Sequence, residues 1–313
     1  MADFLSYAPD EVIAANLTET ARHMERIGEM ELAHLSELAN DILSGNTQSP
    51  DFIASLAEQR PRVIVASDAI LAQNRTGIEG MQTLHEDWKV TQLCRAIRTG
   101  LGLGPREVPT ACFPEGEALS PEIAGSMIYQ KSNYADEAYL RFAKEIPNSR
   151  ARYAHSFLLA VNEVVRGQCE YCILPVENST EGPLNSFSRL IDRYALKIAA
   201  TYDVPTGDGN RYTRFALVRR DLVWTDPIAC DSFFECVIPV ENSPTVASLL
   251  LGAQLCGLEL CRLDSRLCEQ EGSAFPATHF VFALRESDLA SYLLYLAMLA
   301  PDYEPLGLYR HLL

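Results

Sequence analysis

Short apolar strands alternate with helices from Met127 onward, and this alternation constrains the fold most. The strand MIYQ precedes the helix ADEAYLRFAKEI, and the apolar strand YCILPV precedes the helical PLNSFSRLIDRYA. Between them, Ser156 is expected to cap the helix FLLAVNEVVRGQ and Gly167 to end it. Strands separated by helices predict a mostly parallel sheet with helices packed on it, an α/β arrangement. Ligands bind beyond the carboxyl ends of strands in such sheets, which directs attention to the polar residues after YCILPV.

The rest of the chain predicts two further kinds of structure. Apolar residues recur at three- and four-residue steps over 9–44, which predicts one long helix in a mainly helical N-terminal region. The C-terminal segment has the order strand, helix, strand, strand, helix, strand, which is the ferredoxin-like, α+β order. The predicted domains are a helical region at 1–105, a linker at 106–126, an α/β domain at 127–225 and a ferredoxin-like domain at 230–313.

Composition excludes several functional classes. The formal net charge is −16, which argues against nucleic acid as a partner, because phosphate binding needs a basic surface. The sequence has no apolar run long enough to span a membrane, and MADFLSYAPDEV does not resemble a signal peptide, so we expect a cytoplasmic protein. Nine cysteines, an odd number, fit reduced thiols, and the pair Cys169 and Cys172 has no second pair at zinc spacing. No metal and no cofactor are therefore expected.

The letters PVENS occur twice, beginning at Pro175 and at Pro239. Each copy ends an apolar strand, but TEGPLNSF follows the first and PTVASLLL the second, so we interpret the two as separate polar corners and not as a repeat. In the first copy, Glu177 to Thr180 place four polar side chains at the corner, and Asn178 and Ser179 could bind a carboxylate or a hydroxyl. The alternative is an ordinary polar turn that caps the next helix.

A second polar stretch, GNRYTRFALVRR, places Thr213 at the start of a strand beside Arg211 and Arg214. A hydroxyl next to a guanidinium could serve an anion site. The alternative is an edge strand with solvated charges.

Together, PVENSTEG and the later TRF resemble two motifs of the prephenate dehydratase family, and the resemblance extends over 127–313. In that family the C-terminal partner is an ACT domain, a phenylalanine sensor of the ferredoxin-like order. The sensor's usual E-S-R-P corresponds here to the stretch from Leu263 to Leu267. The resemblance implies a lyase of phenylalanine biosynthesis that removes water and carbon dioxide from prephenate to give phenylpyruvate.

The resemblance also implies roles for individual residues. Thr213 would be catalytic, facing the hydroxyl that leaves, in a water-poor pocket. The family's glycine-rich G-P-x-G-T-F-S stretch has changed, and its serine is Ala135 here. The implied substrate-binding residues are Asn133, Asn178, Ser179, Thr180 and Arg214. The implied residues for a phenylalanine effector are Asn242, Ser243, Asp264, Ser265 and Arg266.

Most of the family's second lobe, which closes the active site, is missing between ENST and TRF, where LKIAATYDVPTGDGN connects the two motifs almost directly. Either the N-terminal helices or a second subunit supplies the other wall, or catalysis has been lost. We expect a homodimer or a higher homo-oligomer, because the helices carry apolar stripes that invite self-association. One alternative is a non-catalytic regulatory protein that binds amino acids.

A further alternative is a chorismate mutase with a decayed dehydratase module, acting on chorismate. LAEQRPRVIVASDAILAQNR resembles the first helix of that family. However, Arg62 stands where an apolar residue is expected, and Ile70 stands near the place of a substrate-binding lysine.

Overall fold

The computed structural model describes residues 10–45, 47, 52, 55–59, 63, 79–113, 117–118, 125–146, 148–207, 211–224, 228–240, 245–270 and 273–313. The helices in these residues are α1 (Asp10–Leu43), α2 (Glu79–Gly100), α3 (Asn133–Phe142), α4 (Phe157–Val165), α5 (Asn185–Arg193), α6 (Val246–Leu255) and α7 (Leu289–Leu299). The strands are β1 (Glu117–Ala118), β2 (Ser126–Gln130), β3 (Arg150–Ala154), β4 (Tyr171–Asn178), β5 (Gly182–Pro183), β6 (Lys197–Thr206), β7 (Arg211–Arg219), β8 (Val223–Trp224), β9 (Ser232–Pro239), β10 (Glu259–Gln270), β11 (Ser273–Ala283) and β12 (Glu304–Leu312).

Local sequence explains where α4 begins and ends. Ser156 is the residue before the helix, and its Oγ accepts a hydrogen bond from the Leu159 N–H at 3.2 Å. Gly167 follows the helix with a φ of +70°, a conformation that glycine adopts without strain. The predicted cap and stop of this helix are both confirmed.

One sheet runs through the predicted α/β and ferredoxin-like regions. In the described chain its strand order is β10-β11-β9-β12-β6-β7-β4-β2-β3, with β5 paired to β4, and β1 pairs separately with β8. Strands β9 to β12 with α6 and α7 follow the expected ferredoxin-like order along the chain. The predicted α/β and α+β fold class is confirmed.

The α/β part of the sheet is less parallel than the sequence predicted. Strand β2 is parallel to β3 and to β4, but β7 is antiparallel to both β4 and β6. The reason is the short connection between β6 and β7, which are joined as a hairpin and must run in opposite directions. Between Asn178 and Arg211, the described chain contains only β5, α5 and β6.

Helices cover both faces of this sheet. Helices α4 and α5 pack on one face and α3 on the other, with Ala216 and Val218 of β7 facing the first and Phe215 and Leu217 facing the second. Helix α7 is buried along its whole length, which explains why its sequence is apolar on every side. It contacts α2 and α6, so the N-terminal helices share a core with the ferredoxin-like part. No helix among the described residues is both long and apolar enough to cross a membrane.

Strand β12 joins the two parts of the sheet, because it is parallel to β6 and antiparallel to β9. Gly307 allows this close pairing. A Cβ at this position would lie 2.6 Å from the carbonyl oxygen of Ile198 on β6 and 2.7 Å from the ring of Tyr309. A backbone oxygen cannot move aside as a flexible side chain can, so any larger residue here must separate the strands.

We therefore expect Gly307→Ala to lower the free energy of unfolding by about 1–3 kcal/mol, the usual range for overpacking. Urea denaturation would measure the loss. Gly28→Ala on α1 is the matched control, because a Cβ there meets nothing within 4 Å, and alanine favours a helix. Equal stability of the Gly307→Ala protein and the parent would contradict the tight pairing of β6 with β12.

Candidate functional site

The end of β4 and the start of β7 form a polar corner, which we define as Asn178, Ser179, Thr180 and Thr213. In the antiparallel pairing of these strands, Asn178 lies directly opposite Thr213. Thr213 and Asn178 are partly buried, whereas Ser179 and Thr180 are exposed. The fold thus brings together the residues of the two motifs, which lie far apart in the sequence.

Local hydrogen bonds occupy part of this corner. The Ser179 N–H donates to the carbonyl oxygen of Tyr212 at 3.0 Å, and the Tyr212 N–H donates to Oγ of Ser179 at 2.9 Å. The Thr180 N–H donates to Oδ1 of Asn178 at 2.8 Å, a turn that asparagine side chains commonly make. These bonds are what a polar turn needs. They leave the amide nitrogen of Asn178 and the hydroxyl of Thr213 uninvolved.

Arg214 points to the opposite face of β7 from Thr213, because neighbouring strand residues alternate between faces. Its guanidinium donates two hydrogen bonds to Asp203 of β6, from Nε at 2.7 Å and from Nη2 at 2.9 Å. Its Nη1 lies 3.4 Å from Oε2 of Glu177 on β4. Burial opposes its charge, but the two carboxylates outweigh burial and raise the pKa of Arg214. Arg214 thus ties three strands together behind the polar corner.

Asn133 is the first residue of α3. This helix packs on the face of the sheet to which Phe215 points, and Thr213, two residues earlier on β7, points to the same face. Asn133 is exposed, and the cap of this helix is Ser132, whose Oγ accepts from the Ala135 N–H at 3.1 Å. Ala135 is buried in the core between α3 and the sheet.

Of the described residues that the resemblance assigns to an effector, two are partly buried and one is exposed. Asp264 and Arg266 of β10 point inward and are partly buried, whereas Ser265 between them is exposed. Arg266 Nη2 donates to Oδ1 of Asp192 on α5 at 2.9 Å, which ties β10 to the α/β part. Asn242 and Ser243 lie outside the described residues.

The sheet curls between β10 and β4. Five strands separate these two, which would place them about 29 Å apart in a flat sheet. In the fold, Arg262 Nη1 on β10 lies 3.6 Å from Glu177 Oε2 on β4. The curl and α5 border an open cavity of about 460 Å³, which we call the central cavity. Its charged lining consists of Glu177, Arg214, Glu235, Arg262, Arg266 and His279.

His279 lies between two carboxylates at this cavity. Its Nε2 is 2.8 Å from Glu235 Oε1, and its Nδ1 is 3.3 Å from Asp264 Oδ2. The Tyr309 hydroxyl donates to Glu235 Oε2 at 2.5 Å. Burial opposes the charge of His279, but the hydrogen bonds to Asp264 and Glu235 outweigh it and raise the pKa of the imidazole. The hydrogen bond from His279 lowers the pKa of Asp264, and it lowers that of Glu235 against the effect of burial. The two carboxylates therefore favour the protonated form of His279.

Sequence reasoning missed Asp203, Glu235 and His279. The sequence did contain a clue, because Glu235 interrupts the apolar strand SFFECVIPV and His279 lies in THFVFALR. Charged residues in the middle of buried strands are rare unless they are paired. Among the described residues, no group of His, Cys, Asp and Glu is placed to hold a metal ion.

The cluster predicts a stability that depends on pH. Because the pKa of His279 is raised in the fold, its protonation stabilises the fold. The full effect is present when the pH is below the pKa of histidine in the unfolded chain, about 6.5, and it is lost as the pH rises through the pKa in the folded state. The lowered pKa values of Asp264 and Glu235 stabilise the fold above about 4, and that effect is lost on acidification. We expect His279→Gln to reduce the urea midpoint more at about pH 6 than at about pH 9. An equal reduction at both pH values would show that His279 is not charged in the fold.

Comparisons with known proteins agree with the sequence motifs over part of the chain. Residues 130–207 match the family model described as prephenate dehydratase. The match contains Asn178, Ser179 and Thr180 and ends before Thr213. No curated protein matches the sequence.

Solved structures resemble the chain only distantly. A prephenate dehydratase from Streptococcus mutans is 20% identical, with a TM-score of 0.47, over 60% of this chain and 100% of that one. A structure titled as a novel type of quorum quenching acylase, GqqA, is 21% identical, with a TM-score of 0.46, over 59% and 94% of the two chains. A prephenate dehydratase from Arthrobacter aurescens in complex with L-Phe is 15% identical, with a TM-score of 0.46, over 59% and 90%. The family match shows that residues 130–207 are a divergent, prephenate dehydratase-like segment, as the motifs predicted.

Proposed function

We propose that the chain catalyses the decarboxylative dehydration of prephenate at the polar corner. The observation that carries this proposal is the pairing of Asn178 with Thr213 at the adjoining ends of β4 and β7. The family match over 130–207 supports the assignment of the β4 side of the corner. Products would be phenylpyruvate, carbon dioxide and water.

The proposed reaction uses the driving force of aromatisation. As the ring carboxylate leaves as carbon dioxide, the electron pair of the broken carbon–carbon bond moves into the ring and expels the ring hydroxyl. Thr213 donates its hydroxyl proton to that leaving group, which departs as water, and solvent returns a proton to Thr213. Asn178 donates from its amide nitrogen to a substrate oxygen, while Ser179 and Thr180 offer polar groups at the open side.

Arg214 contributes indirectly in this proposal. Its bonds to Asp203 and Glu177 hold β6, β7 and β4 in register. Glu177 and Arg214 are each one residue from the paired Asn178 and Thr213. Fixed donors stabilise a transition state better than mobile ones, because they need no reorganisation during the reaction.

The polar corner is open to solvent on the side of Ser179 and Thr180, which are exposed, and catalysis there needs a second wall. The described parts of α1 and α2 belong to the core beneath α6 and α7, whereas the corner lies on the α/β part of the sheet. We therefore propose that a second copy of the chain, forming a homo-oligomer, closes the corner and excludes water.

The test is a turnover assay with the purified full chain and prephenate, following phenylpyruvate against a protein-free blank over a wide range of protein concentrations. A rate above the blank that rises more steeply than the protein concentration supports both turnover and closure by a second copy. A rate equal to the blank at every concentration overturns the proposal. Chorismate consumption in the same preparation tests the mutase alternative.

One observation favours a second candidate function, a non-catalytic protein that binds small carboxylates or amino acids. The side-chain oxygens of Asn178 and Ser179 already bond the backbone of the corner. A protein of this kind would bind prephenate or phenylalanine, shown by a raised melting temperature, and would form no phenylpyruvate.

A further inference from the structure

Helix α5 borders the central cavity through Ser188 and Ile191, yet little of the helix is buried. Of its nine residues, Ile191 alone is buried, with 4% of its surface exposed. The residue before the helix makes no side-chain hydrogen bond to the first turn. Helices in proteins owe most of their stability to the face that they bury, so α5 depends on its few contacts with neighbouring elements.

The two ends of α5 are held in different ways. At the start, the ring of Phe187 packs edge-on against Phe157 of α4, with 4.7 Å between the ring centroids. At the end, Asp192 Oδ1 lies 2.9 Å from Arg266 Nη2 of β10. This is the one ion pair between α5 and β10 among the residues that the structure describes. The start is therefore anchored by ring packing within the α/β part, whereas the last turn is held to the ferredoxin-like part by a pair of charges.

Three costs oppose the contact between Asp192 and Arg266. Burial raises the pKa of Asp192, although the charge of Arg266 opposes the rise, so the site disfavours the carboxylate charge. Arg266 Nε is buried without a hydrogen-bond partner in the described part of the chain. Just after α5, Ala195 has a φ of +49°, a left-handed conformation that strains alanine. Water would solvate both charged groups if they separated, so the closed contact is poised to open.

We propose that α5 is a strap at one side of the central cavity and that the ion pair of Asp192 with Arg266 is its latch. When the pair separates, the last turn of α5 moves away from β10 and the cavity widens between them. The start of the helix stays in place, because the packing of Phe187 on Phe157 does not involve β10. The strap lies on the opposite face of the sheet from Thr213, so the proposal does not depend on turnover at the polar corner.

Native-state hydrogen–deuterium exchange of the full chain tests the proposal, because the exchange of backbone amides measures local opening. In the parent, we expect the amides of residues 190–196 to exchange at least about tenfold faster than those in the middle of β4. Asp192→Asn keeps the size of the side chain and removes its charge. This variant should accelerate exchange at 190–196 by at least about a further tenfold and leave β4 unchanged.

Three further variants control this result. Arg189→Gln removes a charge from an exposed position of the same helix and should exchange as the parent does. Arg266→Gln should act as Asp192→Asn does. The double variant should exchange no faster than the faster single variant, because all three lose one shared contact. Parent rates at 190–196 in Asp192→Asn would overturn the proposal. Unfolding of that variant, or an equal acceleration in β4, would also overturn it, because the ion pair would then support the whole fold.

Cysteine labelling tests whether the cavity widens. Cys268 of β10 is 6% exposed. Burial raises the pKa of its thiol, and Asp192 and Arg266 also shift it, which places the thiol beside the latch. Its reaction with N-ethylmaleimide, located by peptide mass spectrometry, should be at least about tenfold faster in Asp192→Asn. The exposed Cys261 on the same strand is the internal reference and should react equally in both proteins. An unchanged rate at Cys268 would show that the gap between α5 and β10 does not open, which contradicts the proposal.

Discussion

Replacing Glu235 by alanine is expected to lower the free energy of unfolding by about 3–5 kcal/mol, the range found when one partner of a buried ion pair is removed. Glu235 is 8% exposed, and its two oxygens hold Nε2 of His279 and the hydroxyl of Tyr309. Both partners would remain buried in the variant, and each would lose its bond to Glu235. His279, Glu235 and Tyr309 lie on β11, β9 and β12, which are adjacent strands of the ferredoxin-like part, so the loss falls within that part.

Urea denaturation of the full chain measures this loss, and Asp231→Ala is the matched control. Asp231 makes an ion pair of 2.7 Å with Arg310 at the surface, where both side chains are about half exposed. Exposed pairs of this kind contribute about 1 kcal/mol or less. If Glu235→Ala and Asp231→Ala cost the same, the buried cluster does not stabilise the fold in the way described.

Local elements of the fold could be predicted from the sequence, because their causes are local. The apolar strand YCILPV is β4, and the cap at Ser156 and the stop at Gly167 bound α4 as expected. The order of strands and helices after Ser232 could be predicted as well, since strand-like stretches there alternate with two apolar helical stretches. The position of the polar corner follows from the same information, because it is where one such strand ends.

The pairing of distant strands could not be predicted in this way. Nothing near Glu304 or Lys197 in the sequence indicates that β12 is parallel to β6, so the continuous curled sheet was not foreseen. The central cavity depends on that curl, and so its charged residues were missed even where they interrupt apolar strands. The antiparallel hairpin of β6 and β7 was also not predicted, because a mostly parallel sheet was expected.

Replacing Thr213 by valine should reduce the formation of phenylpyruvate about 10- to 1,000-fold, as expected when a donor that acts mainly in the transition state is lost. Valine has the same branched shape and a strong preference for strands, so β7 and its pairing with Asn178 should persist. The loss should appear in kcat more than in KM, because the hydroxyl is assigned to the departing group and not to binding. A rise in KM with an unchanged kcat would show instead that Thr213 only binds substrate.

The most direct test of the account compares the rates of phenylpyruvate formation from prephenate by the parent protein, by Thr213→Val and by Asp231→Ala. We predict a parent rate above the protein-free blank, a rate within about twofold of the parent for Asp231→Ala, and a rate at least about tenfold lower for Thr213→Val. A parent rate equal to the blank, or equal rates for the parent and Thr213→Val, would contradict catalysis at the polar corner.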